Sequence, residues 1–427
     1  MSRALLVLLA ACCLLLLVAA RPAKGETNHR PYFGDRLAYV AGGKLYVGFP
    51  HARLVPGRGN AFKPVFSSDG QWLAFLRQQR TGSGVSSKLW VARADGRDAH
   101  AVASVLTFPV EAFQWSPSTD ALAVQPLSAK GEPLPIKIIS AQGRAHTVPN
   151  HLRGSFLWLS DGRSLAIAAT SHSGYTRLYV VRGTAVRSYA IPDIGRYDPI
   201  KLAAWWPAAS SVVYWMDPGG CFSCIADGTP LKAFDLHKGT TRSLGRSLIY
   251  RDWIAVAGTR LVAIVGGDRS AFFNKHLELC LATGPCHRLR GAPPGQITLD
   301  PALMPNGGLI AFVTAPTWKT SGFNSPTPYW RWLDNHVLWI AQTDGTGATR
   351  AGAEVPKGVQ DPEWTRDGRG LLFVKDGALW LDSHLGAGNP YPVAQLVPAH
   401  SVPSFQKPAY QNWYYGHMNW HDLFAWY

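Results

Sequence analysis

Acidic residues are scarce in this chain. Asp and Glu number 27 against 42 Lys and Arg in 427 residues, leaving a formal charge of +15. Such an excess draws a protein to anionic polymers, anionic lipid surfaces or acidic proteins, or serves solubility alone. The basic residues are scattered rather than in runs and no nucleic-acid-binding motif occurs, so nucleic acid is not expected as a partner. Cysteine is also scarce, with six residues. No Gly-x-Ser-x-Gly nucleophile turn is present, nor any Ser-x-Asp-x-Gly-x-Thr-Trp box of the sialidase kind. After the N-terminal apolar stretch no second run long enough to span a membrane follows. These absences remove the commonest serine hydrolase signature and polytopic membrane proteins from consideration. No motif calls for a cofactor or a metal.

What is present begins with residues 1–25. A short basic start, Met1-Ser2-Arg3, leads into an unbroken apolar run from Ala4 to Ala20. The small residues Val18-Ala19-Ala20 and Ala23-Lys24-Gly25 suit signal-peptidase cleavage, so the segment reads as a secretory signal. Its length also suits an uncleaved anchor. Leu9-Ala10-Ala11-Cys12 is a weaker lipoprotein-type box, since an apolar stretch rather than a polar tether follows it. Export, to a periplasm or the outside, is the expectation.

The remainder is repetitive. SSDGQWLAF at 67–75 has near-copies at 116–124, 160–168, 305–313 and 366–374. In each a polar turn runs into an apolar strand. Strand starts near Arg36, Gln71, Asp120, Arg163, Ser210, Thr259, Gly308 and Arg369 recur mostly at forty-odd residues. That period with β character indicates propeller blades of four strands, a to d. In the second unit these are Lys63–Phe66, Trp72–Arg77, Lys88–Ala92 and His100–Ala103. Asp-Gly and related pairs supply the positive φ of the a–b and c–d turns. A single four-stranded sheet cannot bury both faces, whereas a ring of them can. The first unit reads as strands b, c and d only (Leu37–Val40, Lys44–Val47, Ala52–Val55). The aromatic tail at 408–427 is therefore expected to supply its missing inner strand and close the ring. Eight blades follow, or seven if the first unit or the weak 251–291 unit is not a blade. One propeller domain over 36–427 is expected.

The repeats resemble the TolB-like, WD40-like repeat family, whose blades carry Pro-x-Phe/Trp-Ser-Pro-Asp-Gly ahead of an apolar strand. The best matches are Pro64-Val65-Phe66-Ser67-Ser68-Asp69-Gly70 and Asp361-Pro362-Glu363-Trp364-Thr365-Arg366-Asp367-Gly368. The resemblance implies a propeller over most of 36–398. It implies little about function, because the α/β domain preceding the propeller in TolB itself has no counterpart here. Some family members carry prolyl-oligopeptidase-type hydrolases, and no such domain fits after residue 398.

Long, varied b–c connections mark one face as the candidate for binding. They include 78–87, 127–133, 171–176, 217–230, 266–275 and 315–336. The longest mixes Trp318, Phe323, Tyr329, Trp330 and Trp332 with Lys319 and Arg331. Aromatic faces suit sugars and apolar side chains, and the cations suit carboxylates or phosphates. The same segment also reads as a plug packed on its own aromatics. The 266–275 loop repeats the mixture with Arg269, Phe272, Phe273 and Lys275. Most tryptophans fall on or beside strands and are expected between blades. Of four cysteines beyond the leader, Cys280 and Cys286 flank a c–d turn and suit a hairpin-stapling disulfide. Cys221-Phe222-Ser223-Cys224 reads as a structural disulfide rather than a redox pair. His417, His421 and Asp422 cluster in the tail without a third ligand of metal-site spacing. The resulting expectation is an exported, non-catalytic propeller binding an envelope protein or anionic polymer, with membrane-surface association open and oligomeric state unspecified. The alternative is a lyase or hydrolase of an extracellular glycan or glycopeptide, drawing acids from several blades at the channel.

Overall fold

In a computed structural model of the full chain, the described residues are 36–427 apart from 82–83, 106–112, 129, 131, 171–175, 193–199, 217–227, 268–270, 290–291, 319–324, 353, 386–388 and 402–415. They form eight four-stranded antiparallel sheets, each in a–b–c–d order. The inner strands of blades 2 to 8 are Asn60–Phe66, Phe113–Trp115, Ser155–Trp158, Ile200–Trp206, Ile254–Ala257, Gln296–Leu303 and Gln360–Trp364. The 251–291 unit is a true blade. Blade 1 takes its inner strand from the C-terminus. Phe424, Ala425 and Trp426 pair with Tyr39, Ala38 and Leu37. The expected ring closure is thus present, over three residues of the tail. The b–c connection expected at 78–87 is largely ladder instead, since pairing runs out to Thr81↔Gly84.

The opening repeat has a local cause. Asp69 Oδ1 accepts from Gln71 N at 3.0 Å and Gly70 sits at φ +67°. Asp161 and Asp367 repeat this turn in blades 4 and 8. The strand that follows is apolar on both faces because blades flank it on both sides. Val212, Val213, Tyr214 and Trp215 are all at most 1% exposed. Inner-strand tryptophans bond to the preceding blade. Trp115 Nε1 donates to Val65 O, Trp158 Nε1 to Gln114 O and Trp364 Nε1 to Ala302 O, at 2.9–3.0 Å. The expectation that tryptophans lie between blades holds, and the indole N–H groups of these three find carbonyls in the neighbouring blade.

Cys280 and Cys286 face each other across strands c and d of blade 6 and form a disulfide, with Cα atoms 4.1 Å apart. It closes a short loop, so by the chain-entropy account its removal costs about 2 kcal/mol. Cys286→Ser should lower the unfolding free energy by that amount, and reductant should then have no further effect on the variant. Cys221 and Cys224 lie outside the described residues.

Candidate functional site at the channel mouth

The a–b and c–d turns occupy one face of the ring, and the b–c and d–a connections the other. On the b–c side the tail crosses the axis before entering blade 1. Its His417 ring stacks on Tyr250 (centroids 3.7 Å apart, planes 8°) and meets Trp253 edge-on. His417 Nε2 donates to Asp252 Oδ2 at 2.6 Å, both side chains being under a tenth exposed. Asp252 lies in the 3-10 turn Arg251–Trp253, just before the inner strand of blade 6. Trp420 Nε1 donates to Gln360 Oε1 at 2.9 Å on blade 8. His421 then reaches two carboxylates of blade 8. Its Nε2 is 3.0 Å from Asp361 Oδ1, and its Nδ1 is 2.8 Å from Glu363 Oε1. Trp426 Nε1 also donates to Glu363. Imidazole with an acceptor at each nitrogen is the imidazolium, the only form with two donors. The tail is therefore fastened to blades 6 and 8 by charged pairs before its last residues enter the sheet.

Backbone bulges aim these acids inward. The pairing register of the inner strands breaks between Phe62 and Val65 in blade 2, Leu299 and Ala302 in blade 7, and Gln360 and Glu363 in blade 8. Within each break a non-glycine residue precedes proline in the left-handed region: Lys63 at φ +52°, Asp300 at +47° and Asp361 at +49°. Such backbone is uncommon and costs on the order of 1–3 kcal/mol, so it persists where surrounding packing imposes it. Bulges of this kind re-aim side chains beside functional sites. Here Asp361 N–H donates to Asp300 Oδ2 at 3.2 Å, joining adjacent blades.

The electrostatics follow from burial and proximity. Burial, with Asp361 beside it, lifts the Asp300 carboxyl to about 7. Burial also raises Asp361, although His421 pulls it back. Burial disfavours both imidazolium ions, but Asp252 outweighs this for His417, and Asp361 with Glu363 holds His421 well above its ordinary value. Against the same opposing burial, the histidines keep Asp252 and Glu363 below the usual carboxylate range. The cluster is thus a latch of two imidazolium ions among carboxylates, with one carboxyl that retains its proton close to neutrality.

A lid of aromatics packs over the latch. The 315–336 insertion contains a helix, α1 (Pro326–Leu333), opened by proline and burying Tyr329, Trp332 and Leu333. Phe272, fully buried, meets Trp332 edge-on at 4.8 Å, and Trp332 Nε1 donates to Pro316 O. Trp318 N donates to Phe272 O, tying the two predicted loops together. A Cβ at Gly416 would lie 2.4 Å from the Phe272 ring, so the tail passes directly beneath. Tyr329, Trp332 and Phe272, three of the predicted ligand contacts, thus occupy the interior of the plug. Lys275 is 2% exposed, with Nζ donating to Phe273 O. Trp318 and Arg331 face solvent, and Trp330 and Phe273 are half-buried. Trp330 stacks on His400 and borders a shallow recess that includes Asp334, Asp376 and Trp420. Lys319, Phe323 and Arg269 lie outside the described residues.

Asp252, Asp300, Asp361 and Glu363 escaped notice as a group in sequence reasoning. The available signal was Asp-Pro at the same place in two repeats, 300–301 and 361–362, matched by Lys63-Pro64. That repetition marks a bulge, though not what it faces.

No family model matches the chain, and no curated protein sequence does so. Solved structures do. Pyrococcus horikoshii acylaminoacyl peptidase is 11% identical over 79% of this chain and 52% of its own, with a TM-score of 0.46. The β-propeller domain of the Trilobed protease from Pyrococcus furiosus is 9% identical over 77% and 96%, with a TM-score of 0.43. Oligogalacturonate lyase in complex with manganese is 13% identical over 85% and 86%, with a TM-score of 0.45. The likeness is one of fold alone. This chain spans about half the length of the acylaminoacyl peptidases.

Proposed function

We propose that this is an exported, non-catalytic propeller that binds a protein partner through its b–c face. The observation that carries the reading is the build of the 315–336 insertion. Tyr329, Trp332 and Leu333 anchor it in the core while Trp318 and Arg331 are presented outward and Trp330 borders the recess. Rigid tryptophan and arginine at an exposed face are the residue types that dominate binding energy at interfaces. The carboxylates of Asp334 and Asp376 at the recess favour a protein over an anionic polymer on this face.

Capture from envelope extract by the full chain, compared with Trp318→Ala/Arg331→Ala, tests this. Both side chains are exposed, so folding should be unaffected. A partner retained by the native chain should bind the variant at least tenfold more weakly, about 1.4 kcal/mol or more. Equal capture by both would sink the reading. One observation favours a second reading, a lyase or hydrolase of an extracellular glycan or glycopeptide. Asp300 holds a proton near neutral pH beside ionised carboxylates, as a general acid does. Under the preferred reading Asp300→Asn leaves partner capture unchanged.

A further inference from the structure

Every blade ends in an outer strand whose far edge has no strand partner among the described residues. Exposed edges of this kind are usually blunted with charge, lysine above all. The eight outer strands here are Arg53–Leu54, His100–Ser104, Ala145–Thr147, Ala185–Ala190, Thr241–Ser247, Cys286–Arg288, Thr349–Arg350 and Tyr391–Gln395. They contain Arg53, Arg187, Arg242, Arg246, Arg288 and Arg350, three histidines, and no lysine, aspartate or glutamate. Among the described residues none of the six arginines forms an ion pair. The Arg–Asp pairs of the described residues, Arg93–Asp98 and Arg97–Asp95, lie on an inner neighbour and a turn. Blunting an edge requires charge of either sign, so it leaves both the single sign and the missing partners unexplained. The turns mix both signs, as Arg93, Arg97, Asp95 and Asp98 do, whereas the outer strands carry arginine without acids.

The rim also holds a shaped site. Between the outer strand of blade 5 and strand c of blade 6 (His276–Leu281) lies an open cleft of about 420 Å3. Arg246, Ser243, Asn274, His276 and Glu278 line it, over a floor of glycine backbone. Gly245 takes φ +111° beside a break in register, and a Cβ at Gly266 would meet Asn274 O at 1.8 Å. The floor must therefore lack side chains. Arg246 is held by donation from Nη2 to Gly228 O at 2.6 Å, which leaves the rest of its guanidinium for a ligand. Arg242, one turn of the pleat away, is held across the blade boundary by Leu281 O. His276 and Glu278 lie 3.6 Å apart in the cleft, where burial raises the Glu278 carboxyl and lowers the His276 imidazole. Hydroxyl and amide side chains, bare backbone and a positioned guanidinium suit a sugar ring bearing a carboxylate.

We infer that the outer rim binds an acidic polysaccharide, with one uronate residue seated at Arg246 in the cleft between blades 5 and 6 and the chain continuing along the unpaired arginines of neighbouring edges. A polymer can follow a curved circumference. A flat bilayer touches a cylinder's side along one line only, so a lipid surface fits the arrangement less well. This surface is separate from the b–c face, and the inference stands independently of the function proposed there.

The test is binding of the full chain to alginate as salt is varied, with dextran, polyphosphate and phosphatidylglycerol vesicles alongside. Log affinity for alginate should fall linearly with log salt, as expected when several phosphate- or carboxylate-borne counterions are released. Arg187→Ser/Arg246→Gln/Arg288→Ser should bind at least tenfold more weakly with a shallower salt slope and an unchanged unfolding midpoint. Trp318→Ala/Arg331→Ala should bind alginate normally. Alginate binding unaltered by the rim substitutions, or absent at about 50 mM salt, overturns the inference. Polyphosphate binding equal to alginate would remove the sugar-shaped cleft from it. Preference for the vesicles would replace the polysaccharide with lipid.

Discussion

Deleting Leu423–Tyr427 should abolish cooperative folding of the propeller. Among the described residues this segment alone pairs with the inner side of Leu37–Ala41, through Phe424, Ala425 and Trp426. Leu423 O also accepts from Val40 N at 2.7 Å, and Tyr427 OH donates to Ser68 O in the second blade. Leu423 and Phe424 are 1% and 2% exposed. Losing either side chain alone costs about 2–5 kcal/mol, and a domain is stabilised by only about 5–15 in total. The ring would open at a strand whose unpaired edge faces solvent, a setting for aggregation. Size-exclusion chromatography and thermal unfolding should report aggregated or non-cooperative material. The peptide 416–427 supplied in trans should restore a cooperative transition, since the missing strand needs no covalent link. A monomeric truncated chain with an unchanged midpoint would show that closure does not hold the ring.

Replacing His417 with alanine should destabilise the protein by about 3–5 kcal/mol. The pair it forms with Asp252 is buried at both ends, and the substitution would strand the Asp252 carboxylate away from water. Adding Asp252→Asn should recover much of the loss, because the stranded charge, more than the missing attraction, is what costs energy. A double substitution no more stable than the single one would contradict this account. The stacking on Tyr250 would be lost in both variants and so cancels from the comparison.

The latch also fixes a pH profile. His417 and His421 are raised above the ordinary imidazole value, so their contribution is complete below about pH 6.5 and is lost as pH rises through the folded values. Asp300, raised to about 7, acts in the same direction. Its contribution is present below the ordinary aspartate value and disappears as pH rises through 7. Asp252 and Glu363 are depressed, so theirs is present above the ordinary carboxylate range and lost on acidification. His336 is pushed down to about 3 by burial, and its contribution likewise declines as pH falls below 6.5. Stability should therefore peak in the mildly acidic to neutral range and fall as pH rises above 6.5 through the folded values of the two histidines. The alkaline fall should be shallower in His417→Ala, and Asp300→Asn should remove the part lost between the ordinary aspartate value and about 7. Denaturant midpoints across pH would show both.

The propeller itself is written in the sequence at short range. Asp-Gly turns need only their own residues to form, and strands such as Ser211–Met216 are apolar on both faces wherever they sit. Repetition multiplies these local signals, so blade number and the need for a closing strand could be read without coordinates. The tail's role followed from one missing strand, which is a matter of counting. The latch, the plug and the rim cleft depend on which blades are neighbours. Asp252 and His417 are 165 residues apart in the chain, and nothing near either residue specifies the other. Aromatics of the 315–336 insertion look alike in sequence, yet helix phase turns Tyr329 and Trp332 inward and Arg331 outward. The outer arginines are scattered over some three hundred residues of sequence, and ring closure gathers them onto one rim. Sequence alone determined the repeating unit, because its hydrogen bonds and hydrophobic pattern are local. Tertiary structure decided where charge is buried, paired or left free, because an eight-membered ring brings together residues that the chain keeps far apart.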